Sequence, residues 1–170
     1  MTRASWAIRP KGERDVDGVV ELLAEVAREG RYIATQWPFD VEARAQAMRD
    51  AILERRVVGW IAVDGRRVVG NLTIHDIASA EPEIGMIVRA SHRGRGIGAA
   101  LLAAAQSWAR ANGKPALTLR VFPDNENALA LYRAHGFVDV ELQRRVVPRR
   151  DGAARDALLM RCELAEKGSS

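Results

Sequence analysis

The chain has 170 residues, 48% hydrophobic and 28% charged, with a formal net charge of +4 and one cysteine. That length suits one domain with a real core, and no apolar run approaches the ~18 residues of a membrane span. A lone Cys162 excludes an internal disulfide framework, and residues 1–6 lack a signal-peptide apolar region, so a cytoplasmic protein is the expectation.

Residues 5–10 alternate briefly and end at Pro10, which reads as a short first strand. Over residues 14–29 the apolar positions Val16, Val19, Val20, Leu22, Leu23, Val26 and Ala27 form a helical stripe, closed by Gly30. Residues 31–40 follow, broken by Pro38 and carrying Tyr32, Trp37 and Phe39, three of the nine aromatics. Asp40 can cap a second helix over residues 41–54, with Ala45, Met48, Ile52 and Leu53 inward.

Residues 57–63 read as a strand, Asp64-Gly65 as a two-residue hairpin turn, and residues 68–77 as the returning strand. A further strand over 83–88 enters a glycine-rich loop. A helix from 98 to 111 follows, with Leu101, Leu102, Ala105 and Trp108 on one side. Residues 116–121 are a strand and 125–134 a helix ended by Gly136. Residues 137–143 and 156–164 make two strands joined by an arginine-rich connection over 144–155. Residues 166–170 read as a frayed end, leaving one domain over 1–165. The order β-α-α-β-β-β-α-β-α-β-β implies an α/β (α+β) fold: a mixed, mostly antiparallel sheet flanked by helices, with one parallel crossover at the glycine loop. Cys162 lies in an apolar run and reads as a buried structural thiol.

The glycine loop points to an anion. Gly94, Gly96 and Gly98 stand at alternate positions where a strand gives way to a helix, and Arg93 and Arg95 add positive charge. Backbone N–H groups at such a helix start cradle phosphate. A P-loop is excluded, since no Gly-x-x-x-x-Gly-Lys run exists. The dinucleotide fingerprint fails because Leu101 stands where its third glycine belongs. What fits is Arg/Gln-x-x-Gly-x-Gly/Ala, present as Arg93-Gly94-Arg95-Gly96-Ile97-Gly98. At this point the sequence resembles the GNAT superfamily of acyl-CoA-dependent N-acetyltransferases. A second signature, Asn-x-x-Ala-x-x-Leu-Tyr-x-x-x-Gly-Phe, is matched by Asn125, Ala128, Leu131, Tyr132, Gly136 and Phe137.

The resemblance implies transfer of an acetyl group from acetyl-CoA to a primary amine by direct attack. The cosubstrate's pantetheine arm is expected to pair with backbone groups of Met86, Ile87 and Val88, and its pyrophosphate to rest on Gly94, Arg95, Gly96, Ile97, Gly98 and Ala99, with Arg93 in reach. Asn125 is expected to bond the arm. Tyr132 is expected to protonate the leaving thiolate, and a backbone N–H near Ile87 or Val88 to hold the developing oxyanion. Glu83 is the leading general base, with Glu81, His75 and Asp76 as rivals. In the ribosomal-protein-alanine branch of that family the base is a Glu five residues before the signature Asn; that position here is Arg120. Tyr32, Trp37 and Phe39, with the 144–155 connection, are expected to line an acceptor site whose amine stays unidentified: a small molecule, an amino acid or a protein N-terminus. His75, His92, His135 and Cys162 lack ligand spacing, so no metal is expected. A homodimer is common in such relatives, while no membrane or nucleic-acid partner is expected. The alternatives are a non-catalytic acyl-CoA sensor and, behind it, a nucleic-acid-binding protein.

Overall fold

The computed structural model describes residues 5–164. Its strands and main helices run β1 (Trp6–Pro10), α1 (Val16–Glu29), α2 (Val41–Leu53), β2 (Val57–Asp64), β3 (Arg67–His75), β4 (Glu83–Val88), α3 (Ile97–Ala111), β5 (Ala116–Val121), α4 (Glu126–Ala134), β6 (Phe137–Val147) and β7 (Arg155–Glu163). This is the expected order; the expectation for residues 166–170 lies outside the described residues. The seven strands form one sheet in the order β1-β2-β3-β4-β5-β7-β6, antiparallel except between β4 and β5.

The helices form where the sequence can bury a stripe. Val16, Val19, Val20, Leu22, Val26 and Ala27 of α1 are buried, and Gly30, at φ +68°, ends the helix in the left-handed conformation. Asp40 caps α2, its Oδ1 accepting from the Ala43 N–H at 2.9 Å. Adjacent strand residues face opposite sides, and β2 shows where each layer lies. Ile61 packs with Val19, Leu22 and Val26 of α1, whereas Ala62 packs with Ile97, Leu101 and Leu102 of α3. The α3 layer sits close to the sheet because Gly70 has no side chain: a Cβ there would lie 2.8 Å from Ile97 Cγ2. No helix among the described residues is long and apolar enough to cross a membrane.

Two local expectations are corrected. The hairpin turn centres on Gly65-Arg66 rather than Asp64-Gly65, because Asp64 pairs with Arg67 and the register shifts at Ala62/Val63. The β6 strand also runs past residue 143 to Val147. Arg145 takes φ +54° and donates its N–H to Asp156 Oδ1 at 2.8 Å, so the strand kinks and resumes pairing instead of ending. The true β6–β7 connection is therefore residues 148–154.

Candidate active site

The site begins where the sheet parts. β4 and β5 share only the pair Glu83↔Thr118, with the Thr118 N–H donating to Pro82 O at 3.1 Å. The Arg89 N–H bonds Val69 O of β3 at 2.8 Å. Period-two alternation then turns the backbone groups of odd residues toward β3 and those of Ile84, Met86 and Val88 toward the gap. Of the three residues expected to pair with a ligand arm, Ile87 is corrected: its backbone lies in the β3 ladder opposite Asn71 and its side chain packs beneath α1. Met86 and Val88 keep the expected aspect.

Beyond β4 the chain turns through Gly94 (φ +71°) and Gly96 (φ +85°), conformations that disfavour a side chain. Gly96 is the N-cap of α3, offers no side chain, and accepts the first helical bond from the Ala100 N–H at 3.1 Å. The N–H groups of Ile97, Gly98 and Ala99 are thus left without an intrahelical acceptor at the positive end of a 15-residue helix. Gly98 serves a different purpose. A Cβ there would lie 2.8 Å from Leu131 Cδ2 and 3.4 Å from Met86 Cε, so its absence lets α3, α4 and β4 meet. Arg93 is held away from the loop: both terminal nitrogens bond the Glu29 carboxylate at 2.8 and 2.9 Å, and Nε donates to Val88 O at 3.0 Å. Arg95 makes no ion pair among the described residues.

Asn125 caps α4, its Oδ1 accepting from the Ala128 N–H at 3.3 Å. Two turns later Tyr132 is 8% exposed and meets Phe137 edge to face at 5.8 Å between ring centres. Burial pushes its phenol up to about 12, because a phenolate there would be stripped of water. Tyr132 is therefore a proton donor across the neutral range, and its hydroxyl has no hydrogen-bond partner among the described residues.

All four sequence-level candidates for a base come together. His75, Asp76, Glu81 and Glu83, with Ser79, Pro82 and Thr118, line a cavity of about 410 Å³ at the head of β4. Two of the carboxylates are engaged: Glu81 pairs with Arg161 at 2.8 Å, and Glu83 pairs with Arg120, whose Nε also donates to Gln143 Oε1 at 2.8 Å. The base position of the ribosomal-protein-alanine branch is thus occupied by a cation gripping Glu83. His75 Nε2 lies 3.6 Å from where a Cβ on Gly85 would stand. Burial first, and then the nearby Lys11 ammonium, hold the imidazole below its ordinary range, against the opposing pull of Glu83. Lys11, which carries no motif in the sequence, joins this region. Its Nζ donates to Asn71 Oδ1 at 3.0 Å and Thr73 Oγ1 at 2.5 Å, and burial pulls it down to about 8.

The two segments expected to frame the acceptor meet over β5. Arg149 donates to the carbonyls of Ile33 (2.9 Å), Ala34 (3.3 Å) and Gly30 (3.4 Å), and Arg155 to Arg31 O (2.5 Å) and Asp124 Oδ1 (3.1 Å). Arg150 adds bonds to Gln36 and Pro38. Both Arg149 and Arg155 lie over Phe122, at 5.7 and 4.0 Å from its ring centre. Tyr32 reaches the same place, its hydroxyl donating to Asp124 O at 3.1 Å beside Asn125. Trp37 and Phe39 meet each other edge to face at 5.6 Å, with Arg28 over the indole and Arg44 over the phenyl ring. The 144–155 connection is thus brought to Tyr32 as expected in outline, but single arginines in a basic run carry no sequence signal of which carbonyls they bond. Cys162 is buried, its Sγ accepting from Gln106 Nε2 at 3.4 Å. Among the described residues no three His, Cys, Asp or Glu side chains are grouped to hold a metal ion.

The model of the Acetyltransferase (GNAT) family matches residues 19–137. An uncharacterized protein of Mycobacterium leprae is 42% identical over 73 residues, 43% of this chain, and the match spans only 19% of that relative's length. Among solved structures, a putative acetyltransferase of Salmonella typhimurium with its cofactor acetyl-CoA superposes with a TM-score of 0.81 at 20% identity, over 98% of each chain. A ribosomal-protein-alanine N-acetyltransferase from Brucella melitensis does so at 0.80 and 23% identity, over 93% of this chain and 99% of its own. At such identities the superpositions establish the shared fold.

Proposed function

The chain belongs to the acetyltransferase (GNAT) family, and from that premise we propose that it transfers an acetyl group from acetyl-CoA to a primary amine. One observation carries the reading. An uncapped, glycine-led helix start stands at the end of a strand that parts from its parallel neighbour after one residue pair. The residues fit the cosubstrate: Gly94, Arg95, Gly96, Ile97, Gly98 and Ala99 offer N–H groups and charge for a pyrophosphate. The edge of Met86 and Val88 offers strand-like pairing for an amide-bearing arm. The Asn125 side-chain amide, whose oxygen caps α4, bonds the same arm through its Nδ2 in this reading. Bound acetyl-CoA supplies an acyl group activated as a thioester.

The protein's own groups divide the remaining work. The Val88 N–H, turned into the gap, is the donor for charge developing on the thioester carbonyl oxygen. Tyr132 Oη, protonated throughout the working range, gives its proton to the departing sulfur. The acceptor amine must lose a proton to attack. Glu83 is the assigned base, acting from the cavity it shares with neutral His75, which can relay the proton through water. Tyr32 and the arginine-bound loop form the acceptor wall, and the amine is a small molecule, an amino acid or a protein N-terminus.

Thiol release from acetyl-CoA, screened against a diverse amine library with binding followed separately, tests the reading. Amine-dependent release is expected. Tight binding without release by any amine would identify a sensor instead.

A further inference from the structure

Thr73 of β3 stands between two glycines in the sheet, opposite Gly59 of β2 on one side and Gly85 of β4 on the other. Two residues farther along those strands Ile61 and Ile87 pack with α1, so the glycine row lies on the same face of the sheet. With no side chain on either neighbour of Thr73, the backbone there forms a trough across three strands, and two polar side chains occupy it. Lys11 enters from the β2 side. Its N–H donates to Gly59 O at 2.9 Å and its stem crosses Gly59, where a Cβ would lie 3.1 Å from both Cε and Nζ. His75 enters from the β4 side, its Nε2 leaning over Gly85 toward the same row.

The charge on Lys11 is the unexplained part. Its Nζ is held by the neutral oxygens of Asn71 and Thr73, and it makes no ion pair among the described residues. The Asp15 carboxylate is spent on Arg9 at 2.7 Å and on the Gly12 N–H at 2.8 Å. A neutral donor could tie the end of β1 to β3 without the cost of desolvating a cation. The group that such a cation can act on is His75. Glu83 faces the imidazole across the β3–β4 ladder but grips Arg120, and Glu81 is paired with Arg161. Asp76 follows in the chain. On the β2 side the neighbour is Val57, and Arg56 before it is paired with Glu54. Lys114 is spent on the carbonyls of Ile77 and Ser79, at 2.7 and 2.8 Å. We propose that Lys11 is a positioning residue for the acceptor's proton: seated on Asn71 and Thr73, its ammonium keeps a proton off His75, so that the ring stands ready to take the one the amine releases. The proton leaves the amine nitrogen, passes through water to an imidazole nitrogen in the cavity and goes on to solvent; Lys11 neither gives nor takes one. This role rests on the amine-acetylating reading above, while the coupling of Lys11 to His75 does not.

Imidazole titration by NMR on the free chain, with no acetyl-CoA or amine present, tests the coupling; His75→Gln assigns its signal among the three histidines. Two variants separate charge from packing. Lys11→Met removes the charge and the bonds, whereas Lys11→Gln keeps a donor in the trough without charge. In both, His75 should bind its proton at least about twofold more tightly, with His92 and His135 unmoved. An unshifted His75 overturns the proposal. So does a shift in Lys11→Met alone, which would be a packing effect. With an amine that the thiol-release screen yields, the acidic limb of kcat/KM in Lys11→Gln should move to higher pH with the His75 midpoint. The loss against the parent should then be at least about twofold near pH 6 and absent by about pH 8.5, with acetyl-CoA affinity unchanged. A limb that stays in place while the midpoint moves would remove His75, and with it Lys11, from the proton's path. If no amine is acetylated, the failure belongs to the proposed activity, and the titration still decides whether Lys11 governs His75.

Discussion

The two halves of the site are held together by different means. On the proposed donor side the groups are backbone N–H groups at the start of α3 and along β4, within one short stretch of chain. On the proposed acceptor side they are segments more than 110 residues apart in the chain, joined by guanidinium bonds to loop carbonyls. A backbone cradle is as rigid as the helix that presents it. A wall hung on exposed arginines can change residue by residue without disturbing the fold. That difference fits a scaffold that keeps its donor and varies its acceptor.

The largest effect should come from attacking the cradle. Gly96→Glu adds a side chain at φ +85° and an anion where a pyrophosphate belongs. Acetyl-CoA affinity should fall more than about a hundredfold by calorimetry. Gly96→Ala carries the backbone strain alone, roughly 1–2 kcal/mol, and should keep much of the affinity. Equal losses in the two variants would mean that the loop is structural and not a phosphate site.

Tyr132→Phe comes next. Losing the proton donor should cut kcat about a hundredfold while the Kd for acetyl-CoA stays within about twofold, since the ring and its contact with Phe137 are kept. An unaltered kcat would remove Tyr132 from the chemistry.

Arg149→Ala should then separate the halves. It deletes bonds to Gly30, Ile33 and Ala34 and should raise the acceptor KM by roughly 3- to 10-fold with donor affinity unchanged. Limited proteolysis should cut residues 31–40 faster. A change in donor affinity as large as that in acceptor KM would show that the halves are not independent.

The smallest effect concerns Lys11, and it reads stability instead of rate. Its folded value of about 8 lies below the ordinary 10.5. Between those values the unfolded chain holds a proton that the folded chain has released, so this group makes stability rise with pH across that window. Below about 8 both states are protonated and the unfavourable burial of charge is fully felt. Lys11→Met should lack the rise, so the Tm difference between variant and parent should shift in favour of the parent from pH 7.5 to 9.5. Parallel pH profiles would mean that the ammonium is not desolvated.

Much of this was legible in advance, for identifiable reasons. The helix stripes, the Asp40 cap and the order of elements follow from periodicity and local propensity, which act over a few residues. Strand ends were less legible. β6 passes residue 143 because Asp156, a distant residue, satisfies the Arg145 N–H. Trp37, Phe39 and Tyr32 cluster in sequence, yet the fold gives them different neighbours: Arg28 over Trp37, Arg44 over Phe39, and Asp124 O for the Tyr32 hydroxyl.

The sequence by itself determined the family and the local elements of the proposed donor half. A left-handed glycine turn, an uncapped helix start and a tyrosine two turns past an N-cap are all encoded within runs of fewer than 15 residues. Only the tertiary structure decided that Ile87 belongs to the β3 ladder, that Arg93 holds Glu29, that Arg120 grips Glu83, and that Lys11 bonds Asn71 and Thr73 of β3. Each of these depends on which side of a strand a residue faces and on which distant partner meets it there. A side chain's neighbours across the sheet are set by register, and register is fixed only when the whole sheet assembles.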